Sequence, residues 1–302
     1  MAFLTLFTAP KAFTQAHINA IQRNALQSWR HLGSDVEVLL IGQEDGLPEV
    51  ATELGLRHLP DVARNVQGTP LVSSIFEIAR QSSTSPLLAY VNADILLMPD
   101  FVEAAHQVAE QAEKFLIVGQ RWDLMVEDLL DFPDDWVKRL RERTFQNGKL
   151  HPRYGSDYFI FPRACFADMP AFAIGRAGWD NWMIYKGRNE HWKVVDGTAS
   201  IQIVHQNHDY AHLPGGQPHY RLPETDENIR LAGGKRTIFN LLDANLQLVD
   251  GKLRAPALTW QKIWRDIETF PLTSVHSYPL AQAAYACFHP IKAFRELRKR
   301  KE

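Results

Sequence analysis

Asn92 and Asp94 interrupt an otherwise apolar run, Leu87-Leu-Ala-Tyr-Val-Asn-Ala-Asp-Ile-Leu-Leu-Met98. Residues i and i+2 on a strand share a face. A carboxylate and an amide at the end of a hydrophobic strand are costly to bury unless something binds them. A divalent cation carrying phosphates is such a partner, because hard cations take oxygen ligands. The competing reading is an Asn and an Asp that close a turn.

A second constellation is Trp179-Asp180-Asn181-Trp182, preceded by Gly175 and Gly178. Aromatic walls around one carboxylate suit a sugar site: the rings stack on C–H faces, and the acid takes a proton from an attacking hydroxyl. Glycines just upstream let backbone approach a ligand closely. The alternative is a helix start with Asp180 as cap and both tryptophans in the core. His205, His208 and His212 follow an apolar stretch. With no cysteine and no His-Glu-x-x-His they are not a zinc pattern, but His205 can add one imidazole to Asp94 on a phosphate-bound cation. Asp157, after Gly155-Ser156, binds an acceptor hydroxyl or closes a turn. Arg64 and Arg176, in polar or glycine-rich loops, meet phosphate or a sugar carboxylate, or remain solvated.

The elements that must hold these residues follow from the pattern. Ala2 to Thr8 reads as a strand ended by Ala9-Pro10-Lys11. Thr14 caps a helix with the stripe Ile18, Ile21, Ala25, Leu26 and Trp29. Val36 to Ile41 is a strand, 48–54 a short helix closed by Gly55, and 56–59 a short strand. Pro70 opens a helix to Gln81. After the 87–98 run, Pro99-Asp100 opens a helix with Phe101, Val102, Ala105 and Val108 inward, and Phe115 to Gly119 is another strand. This alternation predicts an α/β fold with a mostly parallel sheet flanked by helices. Ligands in such sheets sit beyond the carboxyl ends of the strands, where residues 8–11, 43–45 and 92–94 all fall. Later, 238–253 reads as a helix and an Asp250-Gly251 turn, and Trp260 to Ile267 as a helix. The chain ends in a basic run, Lys292 to Lys301, which is a solvated tail or an interfacial helix attracted to anionic lipid.

The chain has 302 residues, a formal net charge of -2 and 45% hydrophobic residues. That suits an enzyme-sized fold with a large core and gives no argument for nucleic-acid binding. Cys165 and Cys287 match no zinc or redox spacing, which points to a reducing cytosol. No stretch reaches the roughly 20 apolar residues that span a bilayer, and the N-terminus reads as a strand rather than a signal peptide. No Gly-x-Gly-x-x-Gly or Walker loop follows a strand, which disfavours dinucleotide and P-loop readings.

Over residues 1–235, the order of elements and these motifs resembles glycosyltransferases of the GT-A fold, the nucleotide-diphospho-sugar transferase superfamily. Tyr90-Val-Asn-Ala-Asp-Ile-Leu-Leu97 stands where that family has its DXD motif, with Asn92 in place of the first acid. The resemblance implies that Asp94 holds Mn2+ or Mg2+ and that His205 is a further metal ligand. It implies that Thr8, Ala9, Pro10 and the loop from Gln43, with Arg64, Asn92 and Asp94, bind the nucleotide, of which a UDP- or GDP-sugar is favoured. Asp180 would be the base of an inverting enzyme, and Asp157, Trp179, Trp182 and His208 would face a hydroxyl acceptor: glycan, lipid or small molecule. The implied protein is a cytoplasmic, metal-dependent glycosyltransferase with a mainly helical extension, 236–302, whose basic end touches the inner face of a membrane. A sugar nucleotidyltransferase and a non-catalytic carbohydrate-binding protein are the alternatives. The first is disfavoured because Ala9-Pro10-Lys11-Ala12 has no glycine.

Overall fold

The computed structural model describes residues 1–208 and 222–299. The first half alternates as the sequence predicts. In order come β1 (Leu4–Thr8), α1 (Ala16–Arg30), β2 (Val36–Ile41), α2 (Leu47–Leu54), β3 (Arg57–Leu59), α3 (Val72–Ser82) and β4 (Leu87–Val91). A short β5 (Ile95–Leu96), α4 (Asp100–Ala109) and β6 (Phe115–Val118) follow. The less regular part holds β7 (Arg121–Leu124), α5 (Trp136–Asn147), β8 (Lys149–Leu150), β9 (Tyr158–Pro162), α6 (Trp179–Asn189), β10 (Lys193–Asp196), β11 (Ile203–Gln206) and α7 (Pro223–Leu231). The chain then adds β12 (Leu246–Val249), β13 (Lys252–Arg254) and three helices, α8 (Trp260–Thr273), α9 (Tyr278–Phe288) and α10 (Pro290–Lys299).

Among the described residues, nine strands form one sheet in the order β13-β12-β10-β6-β9-β4-β1-β2-β3. Most neighbours are parallel; β9 lies antiparallel between β4 and β6, and β13 antiparallel at the edge. Both faces are covered, so the strands are apolar on both sides. Leu4, Leu6, Leu40 and Ala89 pack with α1, α2 and α4 residues on one face. Phe7, Leu39, Leu88 and Tyr90 pack with α3 and α6 residues on the other. A second sheet, β5-β11-β7-β8, stands beside the first and carries much of the site.

Several local expectations are corrected. The N-cap of α1 is Gln15, not Thr14, and it makes no side-chain capping bond. Pro70 sits in a bridge with Arg64, and α3 starts at Val72. Residues 238–253 are not helical: a 3-10 turn at Leu241–Asp243 leads into the β12–β13 hairpin, which adds to the main sheet beyond residue 235. Asp250 and Gly251 close that hairpin with φ of 50° and 72°, the conformation a two-residue Asp-Gly turn supplies.

Candidate active site

The strand order reverses beside β1, since β2 and β3 lie on one side and β4 on the other. In open α/β sheets that switch point is where a crevice opens beyond the strand ends. The chain leaving β1 places Lys11 there, and the chain leaving β4 places Asp94. Both are held from behind. The Gln22 side chain accepts from the Lys11 backbone N–H at 2.7 Å and donates to its carbonyl at 2.9 Å. Gln206, fully buried on β11, donates through Nε2 to the carbonyls of Ile21 and Asp94 at 2.7 and 3.1 Å. Trp29 donates to the Ile95 carbonyl at 2.8 Å, and the Leu97 N–H donates to Ser28 at 3.1 Å. One face of α1 therefore fixes the turn that presents Asp94.

Around that carboxylate the fold gathers residues far apart in sequence. Asp94 Oδ2 lies 3.1 Å from His208 Nε2, 4.0 Å from His205 Nε2 and 3.9 Å from Lys11 Nζ. One ligand atom from each of Asp94, His205 and His208 falls within 4.8 Å of the others. Asp94 Oδ1 is buried without a hydrogen-bond partner among the described residues. Burial alone would raise the Asp94 pKa, but the His208 hydrogen bond and the charges of His205 and Lys11 hold it well below the carboxylate range. Burial pulls Lys11 below the ordinary lysine value, against the attraction of Asp94. His208 Nε2 is also 3.2 Å from Lys11 Nζ. One ring nitrogen cannot donate to Asp94 and accept from Lys11 at once, so the two compete for it.

His205 is steered from outside the cluster. It pairs in register with Asp123 on the parallel neighbour β7, and its Nδ1 lies 3.3 Å from Asp123 Oδ1. This is an ion contact without hydrogen-bond geometry, and the other ring nitrogen, Nε2, is the one that faces Asp94. Burial tends to lower the His205 pKa, but Asp123 and Asp94 raise it above the ordinary value. Asp123 in turn sits 2.6 Å from His151 Nδ1. Despite burial, which acts the other way, His205, His151 and Arg121 hold its pKa well below the usual range.

Asn92 has a different job from the one expected. β4 ends at Val91, and Ile95 N–H donates to the Asn92 carbonyl at 3.1 Å, so residues 92–95 form a turn rather than a strand face. The Asn92 amide donates to Asp157 Oδ1 at 2.9 Å, and its oxygen accepts from the Tyr90 hydroxyl at 3.1 Å. Asp157 is buried and bound through both oxygens to Arg121 Nη1 at 2.8 Å. Arg121 Nε also donates to Asp123 at 2.9 Å, so one guanidinium ties the Asn92–Asp157 pair to the support of His205. Burial opposes the Arg121 charge, but its two carboxylates drive its pKa higher still. His208, grouped at first with the acceptor residues, sits against Asp94.

Trp179 and Trp182 are core residues. Spaced three apart on α6, they share its inward face. Trp179 packs 5.0 Å from Tyr90 and 5.6 Å from Phe159, and Trp182 packs 5.4 Å from Phe172, between ring centroids. Asp180 is at the second position of α6, behind the left-handed Gly178, whose N–H donates to it at 3.2 Å. Burial, helped by the charge of Asp157, pushes its pKa up to about 6 against the backbone N–H groups that hold it down. The Tyr90 phenol lies within the fields of Asp94, Asp157 and Asp180 and, chiefly through burial, is raised far above the tyrosine range.

The remaining expected residues divide. Thr8 and Pro10 are buried, Ala9 is half-buried and Gln43 is exposed. Arg64 bonds to Glu44 at 2.8 Å and Arg176 to Glu224 at 2.7 Å, so both arginines tie loops together. His212 lies outside the described residues. Lys11 was expected only as part of the strand-end segment 8–11, and Arg121, Asp123 and Gln206 were not expected in the site. The signal for two of them was the alternation Arg121-Trp122-Asp123-Leu124, which puts both charged residues on one strand face; Lys11 offered only its place just past the first strand.

No protein-family model matches the sequence, and no curated protein matches it. Among solved structures, the chain is similar to glucosyl-3-phosphoglycerate synthase from Mycobacterium tuberculosis in complex with Mg2+ and UDP. The identity is 13% and the TM-score 0.47, over 85% of this chain and 87% of that one. It is also similar to a mannosyltransferase from Pyrobaculum calidifontis in complex with GDP-Man and Mn2+, at 12% identity and a TM-score of 0.42. That match covers 67% of this chain and 56% of the mannosyltransferase, so it spans little more than half of that enzyme.

Proposed function

We propose that the protein is a glycosyltransferase that moves a sugar from a nucleotide-diphosphate sugar, a UDP- or GDP-sugar, to an acceptor hydroxyl. The observation that carries this reading is the meeting of Asp94, His205 and His208 at the switch point of the sheet. The unpartnered Asp94 Oδ1 supports a cation there. Asp94, His205 and His208 would hold it. Two imidazoles and one carboxylate suit Mn2+ better than Mg2+, which prefers an all-oxygen shell. When bound, the metal supplies Lewis-acid stabilisation to a departing nucleotide diphosphate.

The chain's own residues do the rest. Lys11, pinned by Gln22 beside Asp94, offers a second positive charge to the diphosphate. Asp123 orients His205 through its Nδ1. Asp180 accepts the proton of the acceptor hydroxyl; a carboxyl at about 6 is mostly ionised at neutral pH and still basic enough to take that proton. Asp157 and Asn92, bonded to each other and through Asp157 to Arg121, brace the turn that leads to Asp94. The transfer chemistry lies within residues 1–235. The extension 236–302 brings a cytoplasmic enzyme to the inner face of a membrane, where the acceptor is a glycan, lipid or small molecule.

The test is release of nucleotide diphosphate from UDP- and GDP-sugars with Mn2+, with Mg2+ and with EDTA, alongside Asp94→Ala. Expected are turnover with Mn2+ above that with Mg2+, and loss in EDTA and in the variant. Full turnover by Asp94→Ala would falsify the role of this cluster.

A further inference from the structure

Helix α8 is built inside out. Its buried positions are Lys262, Thr269, Leu272 and Thr273, three of the four polar. It is anchored by polar bonds: Arg265 donates to Asp243 through Nε at 2.7 Å and Nη2 at 3.0 Å. Trp260, Trp264 and Ile267, at i, i+4 and i+7, form one stripe, and their exposures are 75%, 51% and 49%. A helix of a soluble core turns such a stripe inward.

Helix α8 is tied to the start of α10 through the residues just before it, His289 lying 3.4 Å from Glu268. Trp264 meets Phe288 at 5.4 Å between centroids, and α10 starts two residues later. On α10, Ala293 is buried and Glu296 pairs with Arg236 at 2.7 Å. Its outer side leaves Ile291 69% and Phe294 70% exposed, next to exposed Lys292 and Arg295. Among the described residues, no helix is long and apolar enough to cross a membrane.

We propose that the outward faces of α8 and α10 together form a docking surface for an anionic lipid bilayer, with Trp260, Trp264, Ile291 and Phe294 entering the interface. Lys292 and Arg295 meet the acidic headgroups. Tryptophans at headgroup depth and cations beside an apolar face are what an interfacial helix requires. The charge complementarity favours acidic lipid over a second copy of the chain, which would set basic α10 faces against each other. The inference deepens the membrane clause of the proposed function and uses none of its transfer chemistry.

The experiment is co-sedimentation of the full chain, without nucleotide or metal, with vesicles of phosphatidylcholine alone or mixed with phosphatidylglycerol. The chain is expected to pellet with the mixed vesicles, far less with the neutral ones, and to be released by salt. Lys292→Gln and Arg295→Gln should each weaken binding about fivefold. Trp260→Ser with Phe294→Ser should weaken it about tenfold or more, with unfolding midpoints unchanged because both side chains are outside the core. No pelleting, or equal pelleting with both vesicle types, overturns the proposal. So does a dimer in sedimentation velocity that is lost in the Trp260→Ser and Phe294→Ser chain while vesicle binding is absent. Sugar transfer can fail or succeed without altering any of these outcomes.

Discussion

Replacing Asp180 by asparagine should make the protein more stable at neutral pH and inactive in sugar transfer. The Asp180 carboxyl is raised from 3.8 to about 6, first by burial and then by Asp157. A folded-state pKa above the unfolded value means the native state takes up a proton that the unfolded chain releases. The favourable contribution is present at low pH and lost as pH rises through about 6. Above that, the folded protein carries an ionised carboxylate it disfavours, at a cost of up to about 3 kcal/mol. Partial solvent access at Asp180 reduces this toward about 1 kcal/mol. Asparagine keeps an oxygen for the Gly178 N–H and removes the charge. Urea unfolding of both proteins across a pH series isolates the effect, because every other carboxylate is common to the pair. Expected is a gain of about 1–3 kcal/mol above about pH 7 that vanishes below about pH 4, where both side chains are neutral. The same substitution should lower kcat about 10²–10⁴-fold. A variant less stable than the parent at neutral pH would refute the electrostatic reasoning, as would a gain that does not change with pH. A stabilised variant with undiminished turnover would instead refute the assignment of Asp180 as base.

Four other outcomes follow from the same geometry. Asn92→Asp should lower stability by about 1–3 kcal/mol in urea unfolding, because it removes the donor to Asp157 and adds a like charge; calorimetric titration with Mn2+ should show no tightening. Arg121→Met should cost about 3–5 kcal/mol, since it strands a buried Asp157. Trp182→Ala should cost about 3–5 kcal/mol in the same assay, a loss that saccharide does not offset, in keeping with a core position. Lys11→Met should raise KM for the nucleotide sugar more than it lowers kcat, which steady-state kinetics will separate.

The alternation of the first 120 residues made the sheet legible, because buried parallel strands and their covering helices differ in period and length. It also placed residues 8–11 and 92–94 at strand ends; the pairing of His205 with Asp94, 111 positions apart in the chain, came instead from metal-ligand chemistry and the resemblance. What the pattern could not carry was side-chain direction within a turn. Asn92 and Asp94 read as neighbours on one strand face, yet the strand stops at Val91 and the two diverge. The Trp-Asp-Asn-Trp motif misled for a related reason: three-residue spacing on a helix fits a stacking wall and a core face equally well, and the packing partners Tyr90, Phe159 and Phe172 come from elsewhere in the chain. Lys11 was legible only as part of the strand end 8–11, because only the switch point of the sheet gives a lone lysine after a strand its neighbours.

The departure at position 92 from the DXD pattern then has a physical reason. Asp157 takes two bonds from Arg121 on its carboxylate oxygens, and the group facing it donates a third. The Tyr90 hydroxyl, raised far above the tyrosine range chiefly by burial, keeps its proton and donates to the opposite side of the same group. Of the side chains of that size, an amide alone gives one bond and takes the other. An aspartate would face Asp157 with a second negative charge and leave both dependent on Arg121. Asp157, bound to Asn92 and Arg121, stands outside the group of ligand atoms formed by Asp94, His205 and His208. Asparagine at 92 therefore leaves the proposed cation site of Asp94, His205 and His208 intact.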